Sequence, residues 1–114
     1  MRPDGMARRL TIALVALMAP AGAASAQLSQ IERGHAQVQR SCAGCHAVGA
    51  AGESRHPNAP AFRRLARKMD FESFVSRLRE GLMVGHPDMP TFRFKRRDAQ
   101  AIAAYLMSIQ QSRD

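Results

Sequence analysis

Apolar residues recur along this chain at helical spacing, and no stretch shows the strict alternation of a half-buried strand. Ile31, His35, Val38 and Cys42 fall on one face of a helix that the box Ser29-Gln30-Ile31-Glu32 predicts to begin at Ser29. Gly34 lies on the same side. Glycine weakens a helix, so its place there predicts the close approach of another backbone. A short helix is expected from about Ala61 to Lys68. Asp70 then caps a further helix whose apolar face is Phe71, Phe74, Val75 and Leu78, with Gly81 as its stop. The last helix is expected from Arg96 to Gln110, burying Ile102, Tyr105, Leu106 and Ile109 with Ala99 and Ala103 beside them. Met69 and Met107 sit at helical spacing with apolar neighbours and read as core filler.

Two stretches break this rhythm. Residues 47–61 are rich in Gly, Pro and Ala and read as an irregular loop, and so does the segment from Gly81 to Phe94. The reading is an all-α domain of three to five helices.

The N-terminus has a different pattern. Arg2, Arg8 and Arg9 precede the apolar run Leu10–Ala19, Pro20 and Gly22 break it, and Ala24-Ser25-Ala26 is a small-residue cleavage pattern. This is the layout of an export signal, predicting residues 1–26 as a signal peptide, residues 27–114 as the mature domain, and a periplasmic location. The rival is an uncleaved anchor, the one route to membrane attachment. The run is short for the roughly 20 residues of a span. The whole chain carries +8; Arg2, Arg8, Arg9 and Asp4 leave with the leader, so the mature part stays at +6. A mature domain this small, with no Trp and one Tyr, needs a staple beyond its own core.

The two cysteines of the chain are the candidate staple, in Ser41-Cys42-Ala43-Gly44-Cys45-His46. A disulfide between them would close a tiny loop and stabilise little. A thioredoxin-like redox motif needs a βαβ setting that the pattern lacks. Zinc needs two more ligands, and His35, His56 and His86 are scattered. Cys-x-x-Cys-His is the pattern of covalent c-type haem attachment, and behind an export signal it is the preferred reading. Two thiols on one turn reach two vinyl groups, and the next residue, His46, offers Nε2 to the iron.

Haem iron with one protein ligand has a second axial position to fill. Met89, in Gly85-His86-Pro87-Asp88-Met89-Pro90-Thr91-Phe92, lies outside any helical stripe and between two prolines that stiffen the backbone. Met/His ligation raises the reduction potential, and a rigid loop suits a long Fe–S bond. Met83 is the runner-up, and His86 would give bis-His ligation.

Taken with the Met loop, Cys42-Ala-Gly-Cys-His46 resembles the haem motif of the class I monohaem cytochromes c of bacterial periplasms, over roughly Leu28 to Gln111. The resemblance implies the cytochrome c fold around one haem c, Cys42 and Cys45 as thioether residues, and His46 and Met89 as iron ligands. It implies that Pro60, in Asn58-Ala59-Pro60-Ala61-Phe62, presents its carbonyl to the proximal histidine. It also implies that Gly34 and Tyr105 meet where the first and last helices cross. Val38 replaces an aromatic common in relatives, and the last helix begins with basic rather than acidic residues.

The implied function is one-electron transfer without enzymatic activity, as a free shuttle or as the cytochrome subunit of a dehydrogenase or oxidase, with no small-molecule substrate. The alternative is a haem-based ligand sensor or small peroxidase with a labile sixth ligand. Arg93, Lys95, Arg96 and Arg97 follow the Met loop and read either as a solvated charge run or as a docking patch for an acidic redox partner. Few aromatics interleave with the basic residues, so nucleic acid is not expected.

Overall fold

The computed structural model describes residues 21–81 and 88–111. They form helix α1 (Ala21–Ser41), a 3-10 helix (Phe62–Arg67), helix α2 (Phe71–Glu80) and helix α3 (Arg96–Ser108), with no strand among the described residues. The fold is all-α, with four helical segments among the described residues.

Helix α1 begins earlier than its sequence signal. Ser29 is not a cap: its hydroxyl donates to the Ala26 carbonyl at 3.4 Å and accepts from Arg33 at 3.1 Å, within a continuous helix. The Ala-rich segment before it has the highest helix propensity, so the backbone N–H groups at Ser29 already have a preceding turn to bond. Residues 21–29 of α1 are exposed.

The core lies where α1 crosses α3. Val38, Leu106 and Ala99 are fully buried there, with Ile102 and Tyr105 beside them. Gly34 makes the crossing close. A Cβ built on it would stand 1.9 Å from the Ala101 carbonyl oxygen and 2.8 Å from the Tyr105 Cβ. The glycine–tyrosine contact implied by the resemblance is therefore present, and the backbone Gly34 admits is that of α3.

Helix α2 follows its sequence signals. The Asp70 side chain accepts from the Ser73 N–H at 2.9 Å, and this bond to the ionised carboxyl holds its pKa below the ordinary value. Gly81 ends the helix with φ +109° and its N–H on the Arg77 carbonyl. Phe74 and Leu78 are buried, and Phe71 and Val75 pack partly against the same cluster. Helix α3 ends two residues short of Gln110, whose side chain leaves the helix for the 3-10 segment. Gln110 Nε2 donates to the Phe62 and Leu106 carbonyls at 2.7 and 2.6 Å, while Oε1 accepts from the Ala66 N–H at 2.8 Å. The predicted helix near 61–68 is thus a 3-10 turn pinned from outside.

Met69 packs partly against the core, as expected. Met107 does not: it is 60% exposed. Its neighbours Leu106 and Tyr105 hold the buried face of α3, and the next position turns about 100° away from them. No helix among the described residues is long and apolar enough to cross a membrane. The apolar run Leu10–Ala19 lies outside the described residues.

Candidate functional site

The core encloses a cavity of about 350 Å³. Its wall is apolar, built from Val38 of α1, Phe62 and Leu65 of the 3-10 turn, Phe74 and Leu78 of α2, and Ile102 and Leu106 of α3. Cys42, Cys45 and His46 line it from one side of the chain, and Met89, Pro90 and Phe92 from the segment before α3. Four of the five predicted site residues are chemically active side chains, and all four border this one space. Pro60, the fifth, borders it too.

The cysteine turn is the direct continuation of α1. The Cys42 N–H donates to the Val38 carbonyl at 2.8 Å, and the N–H groups of Cys45 and His46 both reach the Cys42 carbonyl, at 3.1 and 2.9 Å. These bonds coil Cys-Ala-Gly-Cys-His into a single tight turn, so both sulfurs and the imidazole are delivered together. Neither cysteine is in a disulfide. Burial pushes the free Cys42 thiol up to about 11. It stays un-ionised at neutral pH, which suits neither a thiolate nucleophile nor a thiolate metal ligand. Among the described residues no three His, Cys, Asp or Glu side chains are gathered for a metal ion.

His46 has one ring nitrogen committed. Nδ1 lies 2.8 Å from the Pro60 carbonyl oxygen, which can only accept, so Nδ1 carries the proton and donates. The lone pair is therefore on Nε2, the nitrogen available to a metal. The Phe62 ring lies 4.6 Å from the imidazole, tilted by 34°. The loop carrying Pro60 is held by three bonds to the cysteine turn and its sequel: Phe62 N–H to the Ala47 carbonyl at 2.9 Å, Ala47 N–H to Ser54 Oγ at 2.9 Å, and His56 N–H to the Cys45 carbonyl at 3.1 Å. Tyr105 reaches across from α3 and donates to the Val48 carbonyl at 2.6 Å.

Met89 is partly buried and packed against the core cluster. The segment that bears it is anchored to α2 by the Phe94 N–H on the Leu78 carbonyl at 2.7 Å, and the Phe92 and Phe94 rings stack at 5.8 Å. The rivals for its role, Met83 and His86, lie outside the described residues.

Several polar residues around this site carry little or no local sequence signal. Arg63 is buried, donating to the Gly52 carbonyl at 2.7 Å and lying 3.7 Å from Glu53, so a residue that reads as surface charge holds the loop before Pro60. His56 is at the cavity rim and within 3.2 Å of Asp88. Only the position of Asp88 beside Met89 hints at a role. His35 is exposed and stacks on Tyr105 at 4.7 Å.

The fit to haem can be judged on the donor set. An apolar cavity suits a porphyrin, two sulfurs on one turn suit two vinyl attachments, and a histidine with Nδ1 satisfied and a thioether suit an iron's two axial positions. Comparison with known proteins points the same way. A family model described as cytochrome c oxidase, cbb3-type, subunit III, matches residues 29–106. Cytochrome c-552 of Bradyrhizobium diazoefficiens is 34% identical over 96 residues, spanning 82% of this chain and 89% of that protein. No solved structure matches significantly.

Proposed function

The chain belongs to the monohaem c-type cytochromes, with one covalently bound haem c, and we propose that it is a periplasmic one-electron carrier with His46 and Met89 as its iron ligands. The observation that carries this reading is the bond from His46 Nδ1 to the Pro60 carbonyl, which reserves Nε2 for the iron, while Met89 borders the same cavity.

The haem iron supplies a one-electron couple between ferric and ferrous states. The protein's part is to hold that couple still. Cys42 and Cys45 would hold the group through two thioethers at the end of α1. The Pro60 carbonyl keeps the imidazole in one tautomer and one orientation. The Met89 sulfur, a soft ligand, favours the ferrous state and raises the potential. The apolar wall of Val38, Phe62, Leu65, Phe74 and Leu78 excludes water, so charge on the iron is poorly solvated and the lower charge state gains further. With His46 and Met89 both holding the iron, no site would be left on it for a substrate.

A partner is met through charge. Arg93, Lys95, Arg96 and Arg97 are exposed, and among the described residues none is paired with a carboxylate. They follow Phe92, which borders the cavity. This patch suits an acidic face on the electron-transfer partner.

Export rests on the layout of residues 1–26. Residues 21–26, the described part of that stretch, belong to the exposed start of α1, so their loss removes none of the described core. The test of the carrier reading is carbon monoxide binding to the ferrous holoprotein at neutral pH. A carrier with both ligands in place is inert on mixing, whereas rapid binding would instead establish a sensor or peroxidase with an open site. N-terminal sequencing of the exported protein tests the leader.

A further inference from the structure

The cavity is bordered by two loops that the fold anchors separately. The histidine-side loop, residues 47–61, is tied to the cysteine turn. The methionine-side segment is tied to α2. A side-chain contact between described residues joins them: His56 Nε2 lies 3.2 Å from Asp88 Oδ2, and both residues stand on the cavity rim. They are 32 positions apart, and Asp88 directly precedes Met89.

His56 is placed for this contact. Its N–H donates to the Cys45 carbonyl at 3.1 Å, and its own carbonyl accepts from Ala59 at 3.1 Å. Pro57 restricts its backbone from the next position. Its Nδ1 accepts from the Asn58 N–H at 3.2 Å, which puts the ring proton on Nε2, facing the carboxylate. The imidazole is therefore a fixed donor, mounted on the cysteine turn and presented to the residue next to Met89. Met89 itself precedes Pro90, so a pull on Asp88 reaches it through a short and restricted backbone.

We propose that His56 and Asp88 are positioning residues, a clasp across the cavity rim that holds the Met89 segment closed over the haem. The inference rests on Met89 as the distal ligand. The clasp decides between the two behaviours open to a c-type haem: closed, the sixth position is filled and the protein carries electrons; open, Met89 can leave and an outside ligand can enter. A partly exposed charge-assisted hydrogen bond shifts that opening equilibrium by about three- to fivefold, and a ligand that binds only the open form has its apparent affinity set by the open fraction.

The probe is imidazole, titrated into the ferric holoprotein while the far-red sulfur-to-iron band is followed. His56→Leu and Asp88→Ala should each tighten apparent imidazole binding about three- to fivefold. The double variant should add little to either, because the two residues act through one contact. His56→Gln, which keeps a donor, should recover much of the wild-type value. A merely structural role would lower the urea midpoint and leave imidazole affinity in water unchanged; that result overturns the clasp. So do simply additive effects, which would place His56 and Asp88 on separate partners. Failure of the premise is seen separately: if Met89→Ala keeps the far-red band, the ligand assignment itself is wrong, whatever the clasp variants do.

Discussion

Replacing Gly34 with alanine sets two known effects against each other. In an open helix the change is favourable by about 1 kcal/mol, because alanine is the better helix former. Here the added Cβ would stand 1.9 Å from the Ala101 carbonyl oxygen, 2.5 Å from its carbon and 2.8 Å from the Tyr105 Cβ. Ordinary contact begins near 3.4 Å, so α1 and α3 must part by about 1.5 Å at their crossing. The atoms struck are backbone and a Cβ, which cannot rotate aside. Parting the helices loosens Val38, Ala99, Ile102 and Leu106, all deeply buried in the core. Overpacking costs about 1–3 kcal/mol and occasionally more, and with rigid atoms on both sides the upper end applies. After the propensity gain, the net loss is about 2 kcal/mol. In a domain of this size that lowers Tm by roughly 8–16 °C. The assay is thermal unfolding of the holoprotein followed by circular dichroism. Ala36→Gly, at an exposed position two residues away, is the control and should cost about 1 kcal/mol from propensity alone. A Gly34→Ala protein as stable as wild type, or more stable, would show that the helices do not cross this closely.

Other expectations concern the supports of the site. Gln110→Ala removes three side-chain hydrogen bonds, two of them to the 3-10 turn, and should cost about 2–3 kcal/mol in urea unfolding, whereas a turn that needs no pin would show no change. Tyr105→Phe leaves the buried Val48 carbonyl without its donor and should cost about 1–3 kcal/mol, with the secondary structure unchanged by circular dichroism. Asp70 has its pKa lowered by the helix cap, so its ion stabilises the fold above the ordinary carboxylate range and that contribution is lost as pH falls through the lowered value. Wild type should therefore outlast Asp70→Ala at neutral pH, and the gap should close in acid. The core residues are also the cavity wall, so the Cys42→Ala/Cys45→Ala protein, which cannot attach haem, should be largely unfolded by circular dichroism.

What could be read from the sequence was what is local. The Cys42–His46 turn, the Asp70 cap, the Gly81 stop and the buried stripe of α3 each rest on residues within a few positions of one another, and the structure has them, except that Ile109 of the stripe lies just past the helix and is only partly buried. Gly34 was legible because a glycine in a helix face demands a reason. The start of α1 was misread because a capping box has meaning only where the preceding residues are not helical, and alanines are. Met107 was misread because helical spacing to some apolar neighbours does not decide which side of the stripe a residue falls on. Arg63, Gln110 and the His56–Asp88 pair were invisible for another reason. Their partners lie 11 to 48 positions away, joined by loops whose paths no periodicity encodes.

The central claim is that His46 and Met89 hold the iron of a carrier. Its most direct test is the optical spectrum of the ferric holoprotein, for wild type and Met89→Ala. A low-spin wild-type spectrum with a weak far-red sulfur-to-iron band, absent from the variant, is the predicted result. A high-spin wild-type spectrum, or a band that survives the substitution, would contradict it and give the sixth position to another group or to none.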